Sequence, residues 1–361
     1  MTMFEHDNPV HAASWPQVLA RYAPRIRPKD VESLGNRGGF SGAAIWRVKT
    51  ELGDFALRRW PMASLPRERI LGLHRLLEHL HRDQLDFVAA PLAADDGSSL
   101  ITVGGYDWQL EPWKSGVADF HRDPSALRLS AGVQALARWH LSAERHLPAA
   151  NAAQWFQRAA ADASPAVSER IGIIHQIQEP ILQRIATTIT TARPTTIADL
   201  SHRILTLIQL GLTRVHRELL AMQDVKVRLQ PCLRDVWHDH LLFSGDTVTG
   251  LIDPSACRRE NVACDLSRLI GSLVGDDRSR WSLALTEYQR YRDLSVSELK
   301  LIEVLDHSGV LLSGWTWLQW IYVEERSFPD PVAVGQRLGV ILRRLEYLIE
   351  GEREVSKLIT P

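Results

Sequence analysis

The sequence predicts an α+β chain of two lobes, a small β-rich one followed by a larger helical one. Three observations carry that expectation. Short β-branched or alternating runs, separated by Gly, Asp and Asn turns, fill residues 31–113. Apolar residues at helical spacing dominate from about residue 114 onward. The change of character falls at Glu111-Pro112-Trp113-Lys114-Ser115-Gly116, which reads as the joint. With 361 residues, the chain is long enough to give both lobes a core.

Residues 1–30 read as an irregular arm with one short helix near 15–22. Strand signals follow at 31–34, 43–49, 54–60, 99–103 and 106–112, divided by turns such as Glu51-Leu52-Gly53-Asp54 and Asp95-Asp96-Gly97. One helix interrupts them at 66–81. There Ile70, Leu73, Leu77 and Leu80 recur at spacings of three and four and form one apolar stripe. Pro66 suits the first helical turn, where its missing N–H costs no hydrogen bond. Helical patterns then occupy 125–145, 166–190, 194–222, 264–274, 279–292, 296–323 and 331–350, with a β island at 228–253. The expected domains are an arm (1–30), a β-rich lobe (31–113) and a mainly helical lobe (114–361).

Apolar content of 45% and charged content of 24% are those of a folded globular chain. A formal net charge of −1 argues against a general nucleic-acid binder or a polybasic membrane patch. The start of the chain has no basic segment leading into a long apolar run, and no stretch approaches the ~18 apolar residues of a membrane span. A reduced, cytoplasmic setting is expected. Cys232, Cys257 and Cys264 fit neither a disulfide framework nor zinc spacing and read as buried small hydrophobes.

The chemistry concentrates in Leu233-Arg234-Asp235-Val236-Trp237-His238-Asp239-His240-Leu241-Leu242-Phe243, followed by Leu251-Ile252-Asp253. Phosphoryl transfer to an alcohol needs a carboxylate that orients the hydroxyl and takes its proton, and cations that neutralise the phosphates. Asp235, after an apolar run, is placed for the first task. Asp253, 18 positions later at the end of Val248-Thr249-Gly250-Leu251-Ile252, is placed to hold Mg²⁺, a hard cation that takes oxygen ligands. His240, five positions after Asp235, is open to three readings: a ligand for a softer or weakly held ion, a bystander to Asp239, or the mark of a lost second metal site. A histidine that only hydrogen-bonds the loop is as good an account as the three together.

Gly35-Asn36-Arg37-Gly38-Gly39-Phe40-Ser41-Gly42 lies between the first two strand signals, where backbone N–H groups without an obstructing Cβ can approach phosphate oxygens. Arg58, in Ala56-Leu57-Arg58, alternates away from Leu57 and could grip the α- and β-phosphates bidentately. Glu68, in the first turn of the 66–81 helix, is the expected carboxylate partner of Arg58; a favourable charge at a helix N-terminus explains it nearly as well. Asp265 reads as a structural brace for the Asp235 loop. Trp315, Trp317, Trp320 and Tyr322, with Glu324 and Glu325, read first as a tryptophan-rich buried helix and second as a pocket for an amine.

Together these pieces resemble the aminoglycoside phosphotransferase and choline kinase family, with its protein-kinase-like fold, over residues 34–273. The run from Gly38 to Val48 resembles the family's phosphate loop, including Gly38, Gly39, Ser41 and Gly42. Phe55-Ala56-Leu57-Arg58 resembles its third strand, and Ala135-Leu136-Ala137-Arg138-Trp139-His140 the helix before its substrate region. Trp108-Gln109-Leu110-Glu111-Pro112-Trp113 resembles its hinge, which implies that the backbone around Glu111 and Trp113 pairs with adenine. The catalytic stretch departs from the family's His-Gly-Asp and from its asparagine five positions on, where this chain has Leu233, Arg234, Asp235 and His240. The resemblance implies a bilobal kinase that uses ATP or GTP with Mg²⁺ or Mn²⁺, in which 31–113 binds nucleotide and 114–361 carries the catalytic loop 233–253 and the acceptor site. The expected partner is a small hydroxylated substrate whose identity stays open. The alternative is an impaired relative that binds nucleotide or a small ligand as a sensor or scaffold, and His240 is what supports it.

Overall fold

A computed structural model describes residues 14–35, 43–62, 64–191 and 195–359. The glycine-rich segment containing Gly38, Gly39, Ser41 and Gly42 lies outside the described residues. The chain forms two compact units, one of residues 1–157 and 239–257, the other of residues 158–238 and 258–361. No helix among the described residues is long and apolar enough to cross a membrane.

The first unit is built on an antiparallel sheet in the order β1-β2-β3-β5-β4: β1 Asp30–Gly35, β2 Ala44–Thr50, β3 Gly53–Arg59, β4 Ile101–Val103 and β5 Tyr106–Pro112. The register pairs Leu57 with Trp46 on one side and with Leu110 on the other. Strand alternation therefore gathers Trp46, Val48, Leu57, Trp108 and Leu110 on one face. That face buries against Val18, Leu19, Tyr22 and Ile26, which belong to or follow helix α1 (Trp15–Leu19). Arg59 closes it from above, its guanidinium 4.6 Å from the Tyr106 ring centre.

The opposite face carries Arg58, Gln109 and Glu111 and is covered by helix α2 (Arg67–Arg82). Ile70, Leu73, Leu77 and Leu80 of α2 are all buried, as their spacing predicts. His74 joins helix to sheet: its ring nitrogens lie 2.8 Å from Ser99 Oγ and 2.9 Å from Gln109 Oε1. Burial lowers this imidazole to about 4, so it is neutral and acts as a structural hydrogen-bonding group. Helices α3 (Ala126–Arg145) and α4 (Ala153–Phe156), and the hairpin β8 (Leu241–Ser244) and β9 (Thr247–Leu251), complete the unit. Gly116 has a φ of 104°, and a Cβ there would meet Phe243 O at 2.8 Å, so only glycine lets the chain pass the hairpin.

The second unit is mainly helical, with α5 Pro165–Gln176, α6 Glu179–Thr191, α7 Thr196–Met222, α8 Ala263–Val274, α9 Arg278–Gln289, α10 Val296–Tyr322 and α11 Pro331–Ile359. Thr195 and Ser295 cap α7 and α10, and Ser295 forms a reciprocal capping box with Glu298. The expected helix 166–190 is two helices. Pro180 has no N–H to bond back to Gln176 and its ring clashes with the preceding turn, so the helix breaks at Ile177 and Gln178. A small sheet in the order β10-β7-β6 also stands in this unit: β6 Ala159–Ala163, β7 Lys226–Cys232 and β10 Arg258–Glu260. Nothing in Ala159-Ala160-Ala161-Asp162-Ala163 favours a strand locally. Pairing with β7 imposes it.

Candidate functional site

Each unit carries one set of candidate residues. In the first unit, Arg58 leaves β3 on the polar face and meets Asp253, with Arg58 Nη1 3.1 Å from Asp253 Oδ1. Both side chains are withdrawn from solvent, 7% and 17% exposed. Asp253 follows β9 in the left-handed region, φ 55° and ψ 62°, a conformation that costs a non-glycine residue about 1–3 kcal/mol and concentrates at functional sites. Pro254 then fixes the start of a short turn. Burial opposes ionisation of Asp253, but the charges of Arg58 and His240 outweigh it and hold the carboxyl below the usual carboxylate range.

His240 is buried, and its carbonyl accepts the Ile252 N–H at 3.0 Å, which ties it to the residue before Asp253. Asp239 is exposed. Glu111 stands on β5, diagonal to Arg58 on the same sheet face, and its carboxylate accepts from Gln109 Nε2 at 2.6 Å. Burial pushes the Glu111 carboxyl up, against the pull of Arg58. The carboxylate partner of Arg58 is thus Asp253. Glu68 is exposed in the first turn of α2 and does not pair with Arg58 among the described residues, which corrects the expected pairing. The reason is local: Arg58 points along its own sheet face, where Asp253 offers a desolvated carboxylate, whereas Glu68 gains more from water and the helix N-terminus. Trp113 donates its N–H to the Asp54 carbonyl at 3.0 Å, and Arg47 lies over its ring at 4.8 Å. That N–H is therefore engaged within the sheet.

The residues present fit a hard divalent cation at one point. Asp253 Oδ1 is a buried carboxylate oxygen that no well-aligned hydrogen bond reaches, and the carboxyl is held ionised. His240 offers nitrogen, a poorer match for Mg²⁺.

In the second unit, β7 ends at Cys232 and the chain turns sharply at Arg234, φ 64°. The turn is held by Asp265, which is fully buried in the first turn of α8 and accepts the N–H groups of Leu233 at 2.7 Å and Arg234 at 2.6 Å. Arg234 directs its guanidinium to Glu169 at 2.5 Å and toward the buried Glu260 at 3.7 Å. Asp235 follows, half-exposed, with its Oδ1 accepting from Arg268 Nη2. The His238 N–H donates to Ser272 Oγ at 3.0 Å. Asp265 is the brace its position predicts. Arg268 and Ser272 were missed; the signal for them is their spacing of three and seven from Asp265 on one helix face.

The aromatic helix reads as core at Trp315, which is 1% exposed. Trp317 meets Trp320 edge to face and Phe328 at a tilt, both at 5.3 Å, and Arg326 lies 4.6 Å over the Trp320 ring. The chain's own arginine thus occupies the cation position there. All three cysteines are buried, and burial pushes the Cys264 thiol up to about 12, as inert packing groups require.

The sequence model of the phosphotransferase enzyme family matches residues 34–299. No curated protein matches the chain. Among solved structures, the amicoumacin kinase hAmiN, in complex with AMP-PNP and Ca²⁺, aligns with a TM-score of 0.64 at 12% identity, over 96% of this chain and 94% of its own. Spectinomycin phosphotransferase APH(9)-Ia, in complex with ADP and spectinomycin, aligns with a TM-score of 0.63 at 10% identity, over 92% and 98%. An aminoglycoside phosphotransferase from Alicyclobacillus acidocaldarius aligns with a TM-score of 0.59 at 15% identity, over 95% and 97%. At these identities the likeness is one of fold, a kinase-like α+β architecture.

Proposed function

Because the chain belongs to the phosphotransferase enzyme family, we propose that it moves the γ-phosphate of ATP, or of GTP, onto a hydroxyl of a small molecule. The observation that carries this reading is the Arg58–Asp253 pair: a buried cation and a largely desolvated, ionised carboxylate on the sheet unit, of the kind a nucleotide triphosphate and its divalent cation require. The AMP-PNP, ADP and Ca²⁺ named for two of the similar structures support an adenine nucleotide and a divalent cation here.

In this proposal Arg58 binds the α- and β-phosphates, with the backbone of residues 38–42 as a further phosphate cradle and the 111–113 backbone beside adenine. Asp253 holds Mg²⁺, with His240 or Asp239 as the further ligand. When bound, that ion would neutralise charge on the transferred group. Asp235 orients the acceptor hydroxyl and takes its proton as the oxygen attacks the γ-phosphorus. The bond to the bridging oxygen breaks, and its electron pair leaves with the nucleoside diphosphate. Residues 31–113 would serve the nucleotide and residues 114–361 the acceptor, in the cytoplasm. Thermal melting with ATP and Mg²⁺ tests the binding half, because a ligand of the native state must raise Tm. A rise in the wild-type chain that Arg58→Ala abolishes is expected, and no rise with any nucleotide would refute the reading.

His240 favours a second reading, a nucleotide-binding sensor without turnover. A chain that melts higher with ATP, yet releases no phosphate and behaves the same as Asp235→Ala, would be that sensor.

A further inference from the structure

Arg58 stands on the polar sheet face with two carboxylates in range. Asp253 meets it directly at 3.1 Å. Glu111 stands diagonal to it, because the β3–β5 register pairs Ala56 with Glu111 and Arg58 with Gln109. A diagonal neighbour on the adjacent strand lies about 7–8 Å away, within reach of a long side chain. A chain of hydrogen bonds with one possible sense holds the Glu111 carboxylate there. Trp60 Nε1 can only donate and reaches Gln109 Oε1 at 2.8 Å, so that end of the amide is its oxygen. His74 Nε2, 2.9 Å from the same oxygen, therefore carries the ring proton, and Nδ1 accepts from Ser99 Oγ at 2.8 Å. The Gln109 NH₂ end is thereby turned to Glu111 Oε2 at 2.6 Å. His74 and Gln109 are 1% and 3% exposed, so the chain is locked between α2 and the sheet.

We propose that Glu111 is a positioning residue: its carboxylate steadies the Arg58 guanidinium along the sheet face, so that this cation stays aimed at phosphate while Asp253 serves a divalent ion. The role presupposes the reading of Arg58 as the phosphate-binding cation. An oxygen of Asp253 given to a metal is withdrawn from Arg58, and a guanidinium without a carboxylate beside it loses its fixed direction. Glu68, the carboxylate expected from helix position, is exposed at the start of α2. Glu111 shares the face of Arg58 and is pinned by Gln109. Packing does not account for its charge. Burial pushes its carboxyl up, so a negative charge at this place opposes folding. A neutral glutamine would satisfy the Gln109 NH₂ equally well. Arg58 is the cation whose pull on this carboxyl is largest, and steadying Arg58 is what the charge does.

The test is calorimetric titration of the full chain with ADP and Mg²⁺, with melting of the same samples. Removing a negative charge beside an anion's site would, by electrostatics alone, tighten ADP binding. Glu111→Gln is expected to do the reverse: Kd for ADP rises about tenfold, while Tm at pH 7 stays at or above wild type. Glu111→Asp, which keeps the charge, should recover part of the affinity. Glu68→Gln should leave Kd within about twofold of wild type. In an Arg58→Ala background, Glu111→Gln should change Kd by less than about twofold, because the cation it steadies is gone. If Arg58→Ala does not fold, the single variants at 111 and 68 decide. An unchanged or lower Kd in Glu111→Gln, or the same fractional loss with and without Arg58, overturns the inference and leaves the nucleotide reading standing. So does a loss in Glu68→Gln with none in Glu111→Gln, which would return the role to α2. A wild-type chain that binds no ADP refutes the nucleotide reading, and this inference falls with it.

Discussion

Arg58 Nη1 lies 3.1 Å from Asp253 Oδ1, and the pair is the desolvated ionic contact on the polar face of the sheet unit. A buried pair is unforgiving in one direction only. Losing one partner strands the other charge in a poor solvent, whereas losing both removes the problem. Arg58→Met and Asp253→Leu are each expected to destabilise the chain by about 3 kcal/mol in urea titrations, and the double variant by less than either. Additive losses would contradict the burial argument.

The titration of Asp253 has a defined sign. Its folded-state carboxyl lies below the ordinary range, so it adds stability above the unfolded value of about 3.9, and that stability is lost as pH falls through the folded value. Urea midpoints of wild type and Asp253→Asn should therefore converge as pH is lowered below about 4. A gap that stays constant down to the acid transition would contradict it.

Glu111 has the opposite sign. Burial raises its folded carboxyl, so the folded state binds the proton more tightly than the unfolded chain. Its contribution worsens as pH rises from the unfolded value of about 4.3 through the folded one. Glu111→Gln keeps an oxygen for Gln109 and carries no charge. It should be more stable than wild type at pH 7 and lose that advantage toward pH 4, a crossing that urea midpoints at the two pH values would reveal.

Asp265 supports a strained turn. It accepts two backbone N–H groups at 2.6 and 2.7 Å beside a residue at positive φ. Each such charge-assisted bond is worth about 1.5–3 kcal/mol, so Asp265→Ala should cost about 3 kcal/mol or more. Amide exchange at Leu233 and Arg234 should accelerate well beyond the rest of β7. Unchanged protection there would show that the turn holds without it.

Asp235 differs from Asp265 in what its loss should do. It is half-exposed, so Asp235→Ala should leave Tm within a few degrees while kcat falls about 10²–10⁴-fold. A comparable loss of stability would make it a structural residue.

The sequence announced those features whose cause is local. Alternation placed Leu57 and Arg58 on opposite sheet faces, and the stripe Ile70, Leu73, Leu77, Leu80 gave α2 its buried side. Asp265 was legible as a brace because it opens the helix that follows Cys264, within reach of the Asp235 loop. What stayed hidden has its cause elsewhere in the chain. The alanine-rich β6 exists only through its ladder with β7. Pro180 was present in the sequence, but the apolar period ran across it and masked the break. Glu68 was a reasonable partner for Arg58 by helix position, yet the tertiary fold delivers Asp253 to the same guanidinium. Arg268 was legible only as one of a row with Asp265 on a helix face; its partner, 33 residues earlier in the chain, was not.

Phosphate release from ATP with Mg²⁺, measured on wild type, Asp235→Ala and Asp253→Ala side by side, tests the central claim most directly. Turnover in the wild type that falls at least about 100-fold in both variants is the predicted result. Equal phosphate release from all three proteins, or none from the wild type, would contradict it.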